Sequence, residues 1–137
     1  MRMPGKFMEN KLVGYLEANR ERVVGLLSKL IEIPTVNPPV ENYEEMVCFL
    51  EKECKKLGLS ARKYVTPKNV LDKFGVKGGS RRISLVADLN VGANKTFHIN
   101  SHYDVVPVTD KWKTDPFKAV IKGNKVYGRG SEDMKGN

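Results

Sequence analysis

The hydrophobic repeat of this chain changes once, near Gly58, and that change limits the folds open to it. Before Gly58, apolar residues recur at spacings near three, four and seven. Leu12, Leu16, Val23, Leu27, Leu30 and Ile31 predict an amphipathic helix over residues 8 to 32. "IPTVNPPVEN" ends it, because Pro34, Pro38 and Pro39 cannot continue helical hydrogen bonding. A second helix is expected over residues 43 to 57, with Met46, Val47, Phe49, Leu50 and Leu57 as its apolar side and Gly58 as its C-terminal cap.

After Gly58 the period is two. "LSARKYV" predicts a strand and "KGGS" a turn. "RISLVADL" and "KTFHINSH" predict strands joined as a hairpin by "NVGAN". "AVIKGNKVYG" predicts a second hairpin, since a Gly-Asn pair accepts the positive φ of a two-residue turn. Helices followed by strands indicate an α/β domain. "GRGSEDMKGN" then reads as the approach to another helix, so the domain is expected to continue past Asn137.

The 137 residues suffice for one domain, and 40% hydrophobic with 29% charged residues suits a globular chain. No apolar run approaches the roughly 20 residues of a membrane span. "MRMPGKFMEN" lacks the features of a secretory signal, so a cytoplasmic location is expected. Cys48 and Cys54 agree with it, lying about 9 Å apart along a helix, too far for a disulfide. A net charge of +8 raises nucleic acid as a partner. The basic residues are spread in short clusters beside acids, however, which is the pattern of a solvated surface. The expectation is therefore no nucleic acid and no membrane.

The chemistry gathers where the apolar strand gives out. In "HINSHYDVVP", His102 and Asp104 are two apart, so in extended chain both can face one cleft. A neutral imidazole ligates zinc, and an aspartate can orient it by accepting its other N–H. Taken alone, His-x-Asp is a weak signal, more often a structural histidine near a loop. His98 is a rival ligand, but among Phe97 and Ile99 it reads better as a packed histidine. Asp133 follows Gly128 and Gly130, which permit tight turns, and no phosphate-loop motif is present. Glu132 and Asp133 are adjacent and should diverge, which makes them a poor acid/base pair.

In combination the segments are more specific. "SHYDVVP", "WKTDPF" and "KVYGRGSEDMKGN" in that order resemble the zinc-dependent exopeptidase and deacylase family that includes acetylornithine deacetylase, succinyl-diaminopimelate desuccinylase, aminoacylase and carboxypeptidase G. "LIEIPTVNPP" after a long helix resembles the same family's N-terminus. The resemblance implies the N-terminal portion of a three-layer α/β/α catalytic domain with a mixed sheet. It implies that His102 ligates one metal, that Asp104 is the catalytic-site carboxylate orienting it, and that Asp133 bridges two ions, zinc or cobalt. Ser101 and Asn137 stand where many members carry Gly; neither change removes a ligand. The family's general-base glutamate, its remaining ligands and an inserted lid and dimerisation domain would all lie downstream.

The implied function is metal-dependent hydrolysis of amide bonds in N-acyl amino acids or small peptides. Acetylornithine and succinyl-diaminopimelate would place it in arginine or lysine biosynthesis, and a homodimer is compatible. Residues 1 to 137 would then be a partial catalytic domain, doubtful as an enzyme by itself. Two alternatives stay open: a non-catalytic remnant or binding module, and a basic nucleic-acid binder.

Overall fold

A computed structural model describes residues 4–76 and 81–137. The expected "KGGS" turn falls at 77–80, outside the described residues. Helices α1 (Pro4–Ala18) and α2 (Arg20–Glu32) occupy the span expected to be one helix. The break falls at Asn19, whose backbone leaves helical geometry at φ −110° and ψ 14°. Its side-chain amide donates to the Tyr15 carbonyl at 2.8 Å, a local bond that competes with helix continuation. Leu12 and Leu16, placed on the buried face by their spacing, are exposed.

Helix α3 (Tyr43–Lys56) forms as its periodicity predicts. Gly58, at φ +78°, donates to the Lys55 carbonyl, and Leu59 N–H donates to Cys54. This pair of bonds is the Schellman ending that a glycine after the last turn allows. Strand β1 (Ser60–Val65) pairs antiparallel with β2 (Ile83–Asp88), from Ser60 opposite Asp88 to Val65 opposite Ile83. A short helix α4 (Lys68–Lys73), which the hydrophobic pattern did not indicate, lies in the connection. Both strands pack against α3.

The hairpin of "RISLVADL" with "KTFHINSH" is not found. Residues 95–102 form no strand, and Phe97, at 87% relative accessibility, is open to solvent. β2 pairs with β1 along one edge, residues 95–102 do not pair with the other, and an extended segment without a partner makes no ladder. The second hairpin does form, with β3 (Val120–Lys122) against β4 (Lys125–Tyr127). Gly123 takes φ +57° and Asn124 does not, the distribution of a type II′ turn. Among the described residues the architecture is thus α/β, with two small antiparallel sheets.

Its buried centre lies where the end of α2, α3, β2 and residue 105 meet. Ile31, Met46 and Val47 are fully buried, with Ile33, Val36, Ile83 and Val105 around them. Val36 and Val105 form an isolated parallel bridge, with Val105 N–H on the Thr35 carbonyl and Asn37 N–H on the Val105 carbonyl, both at 2.9 Å. Thr35, also fully buried, donates its hydroxyl to the Tyr103 carbonyl at 2.5 Å. These bonds fix residues 103–105 against the α2–α3 connection and so position the residues on either side. Among the described residues, no helix is long and apolar enough to cross a membrane.

Candidate metal centre

His102 and Asp104 flank Tyr103 just before the Val105 bridge, and their side chains meet. The His102 Nδ1 lies 3.1 Å from the Asp104 carbonyl oxygen and 3.2 Å from its carboxylate Oδ1. Both oxygens at Nδ1 are acceptors, so in the neutral ring they favour a proton on that nitrogen. Nε2 in turn lies 3.3 Å from Asp133 Oδ1.

Asp104 is held from behind. Asn37 Nδ2 donates to its Oδ2 at 2.9 Å, and Tyr43 hydroxyl is a further hydrogen-bond partner. Arg82 donates to Asn37 Oδ1 at 3.0 Å and to the Tyr43 hydroxyl at 3.4 Å. Burial raises the Asp104 pKa, but the bonds from Asn37 and Tyr43, with His102 adjacent, outweigh it and hold the carboxyl below its ordinary value. Burial and the same carboxylate push the Tyr43 phenol up to about 12. Tyr103 stacks edge-on against Tyr43 with ring centres 5.0 Å apart, and its hydroxyl donates to the Ile83 carbonyl. Burial raises its pKa as well.

Asp133 projects from the glycine-rich turn that follows β4, and its side chain is 88% exposed. The turn sits against the core because its glycines carry no side chain. A Cβ on Gly128 would stand 2.7 Å from Ile31 Cγ2, and one on Gly130 2.7 Å from Val105 Cγ1. The adjoining Met134 sulfur accepts the His102 backbone N–H at 3.3 Å. Together with Asn37, Trp112 and Arg129, the three predicted residues line a cleft of about 430 Å³.

The geometry suits a divalent ion. Two ligands of a tetrahedral ion with bonds of about 2.0–2.1 Å stand about 3.3–3.4 Å apart, and His102 Nε2 and Asp133 Oδ1 have that separation. An imidazole nitrogen beside a carboxylate oxygen is a donor set chemically suited to a divalent transition-metal ion. Among the described residues, no group of three His, Cys, Asp or Glu side chains is placed to hold a metal. The chain thus brings together two candidate ligands and one orienting carboxylate.

His98 is exposed, not packed as its apolar neighbours suggested, because residues 95–102 carry no ladder that would bury it. Glu132 lines the cleft beside Asp133. Both cysteines are free thiols. Asn37, Tyr43, Arg82 and Lys135 were not anticipated. Asn37 lies in "IPTVNPP", where an asparagine between a valine and a Pro-Pro pair is the one signal that could have drawn attention.

The family model described as "Peptidase family M20/M25/M40" matches residues 98–137, the stretch that carries His102, Asp104 and Asp133. Similarity to individual proteins runs further. An uncharacterized metallohydrolase of Methanocaldococcus jannaschii is 36% identical over 120 residues, 82% of this chain and 28% of the relative. A succinyl-diaminopimelate desuccinylase of Helicobacter pylori is 32% identical over 118 residues, 81% of this chain and 29% of the relative. Aminoacylase-1 of Sus scrofa is 34% identical over 115 residues, 82% of this chain and 25% of the relative. The chain therefore spans little more than a quarter of the length of these relatives. With the family's motif segment matched at one end and relatives aligned over most of the chain, the protein is similar to members of peptidase family M20/M25/M40.

Proposed function

We propose that residues 1 to 137 form the N-terminal part of the catalytic domain of a divalent-metal amide hydrolase acting on N-acyl amino acids or small peptides. The observation that carries this reading is the 3.3 Å approach of His102 Nε2 to Asp133 Oδ1 while Nδ1 faces Asp104. His102 would bind zinc or cobalt through Nε2 and Asp133 through its carboxylate, which in a complete site would bridge two ions. Asp104 keeps the proton on Nδ1 and aims the ring. A bound ion would supply Lewis acidity and an activated water, the two requirements of amide hydrolysis. The names of the relatives, a desuccinylase and an aminoacylase, support an acylated amino acid as substrate.

The test is a cobalt titration of the 137-residue chain followed by absorption and calorimetry. One ion should bind weakly, and binding should vanish in His102→Ala and in Asp133→Ala. Two tight sites that survive both substitutions would overturn the assignment.

A further inference from the structure

Lysine is almost never fully buried, because its ammonium loses hydration unless something replaces it. Lys135 is 7% accessible. Its Nζ donates to the Leu30 carbonyl at 2.8 Å and to the Ile33 carbonyl at 2.7 Å. Leu30 is in the last turn of α2 and Ile33 is its C-cap, so the ammonium satisfies carbonyls that the helix end leaves open and sits at the negative end of the helix dipole.

The same residue also closes the turn that displays Asp133. Lys135 N–H donates to the Gly130 carbonyl at 2.9 Å. A Cβ on Gly130 would be 3.3 Å from the Lys135 stem and 2.7 Å from Val105, so stem, turn and residue 105 pack together. The chain leaving α2 runs directly into Thr35 and Asn37, whose backbone bonds hold Val105. The turn bearing Asp133 and the strand end bearing His102 are therefore both fastened to the same few residues after α2. Asp133 itself is open to solvent, and the other tie between its turn and the His102 strand end is the His102 N–H on the Met134 sulfur at 3.3 Å.

We propose that Lys135 is a positioning residue that holds the Asp133 turn at ligand distance from His102. The proposal rests on the metal reading above and adds to it the element that sets the separation of the two ligands.

The test compares wild type with Lys135→Met, which keeps the stem but removes the donor, and Lys135→Arg, which restores donors. Amide hydrogen exchange should quicken over residues 131–134 in Lys135→Met while α3, β1 and β2 keep their protection. Cobalt affinity should fall about 10- to 100-fold, the usual loss when a group supporting a ligand is removed, and Lys135→Arg should recover part of it. Unchanged exchange over 131–134 would overturn the proposal. So would loss of protection throughout the chain, or failure of both variants to fold, either of which would make Lys135 a residue of general stability. If no variant and not the wild type binds cobalt, the metal reading fails, while hydrogen exchange still decides whether Lys135 holds the turn.

Discussion

Asn37 and Asp104 are 67 residues apart in the chain, and the Asn37 amide donates to the Asp104 carboxylate at 2.9 Å. This bond joins the "IPTVNPP" and "SHYDVVP" segments, and it explains why an asparagine stands between Val36 and Pro38. Arg82 completes the arrangement by holding the Asn37 carbonyl oxygen at 3.0 Å, so the amide cannot flip without losing both bonds.

Asn37→Ala should therefore loosen Asp104 and, through it, the His102 ring. Cobalt affinity is expected to drop about tenfold or more with the far-ultraviolet circular dichroism unchanged. An affinity equal to wild type, measured by the same titration, would mean that Tyr43 alone keeps Asp104 in place.

Gly130 combines a positive φ of +83° with a Cβ position 2.7 Å from Val105. Gly130→Ala should cost about 1–3 kcal/mol from backbone strain alone, read as a lowered urea midpoint. Gly25 in α2 has nothing within 4 Å of its Cβ position. Gly25→Ala should instead gain about 0.5–1 kcal/mol through reduced freedom of the unfolded chain.

Alkaline titration should set Tyr43 and Tyr103 apart from the exposed tyrosines. The Tyr43 pKa is raised from 10.0 to about 12, so the folded chain favours the neutral phenol. The stability this contributes is complete below pH 10 and is lost as pH rises toward about 12. Tyrosinate absorbance should show late-titrating groups, and the one near pH 12 should disappear in Tyr43→Phe while Tyr103 still titrates late. The Tyr43 signal would rise with the exposed Tyr15 and Tyr64 if burial beside Asp104 were not the cause.

The 137 residues by themselves should not hydrolyse N-acetylornithine or dipeptides, even with zinc or cobalt added. They bring two candidate ligands together, whereas a catalytic zinc ordinarily has three protein ligands and a water. Losing members of a cooperating set also removes far more rate than any one of them suggests. An amide-hydrolysis assay with a His102→Ala control checks this. Turnover abolished by that substitution would show that a working site assembles from these residues.

What the sequence determined by itself was local and periodic. The helix over 43 to 57, its ending at Gly58, the strands "SARKYV" and "ISLVAD" and the hairpin at Gly123-Asn124 follow from side-chain period and backbone freedom within a few residues. His102, Asp104 and Asp133 could be named because their segments, taken together, resemble a family's motifs, whereas the spacing of each alone is weak. Tertiary structure decided which strand received a partner. "KTFHINSH" has strand-forming residues, but no edge meets it, and a ladder requires two strands brought side by side. It also decided what stands behind the site: Asn37 and Arg82 behind Asp104, and Lys135 beneath the Asp133 turn. Those contacts join residues 45 to 102 positions apart. Nothing in a local pattern encodes them, because a hydrogen bond depends on where two atoms meet and not on the residues beside each in the chain.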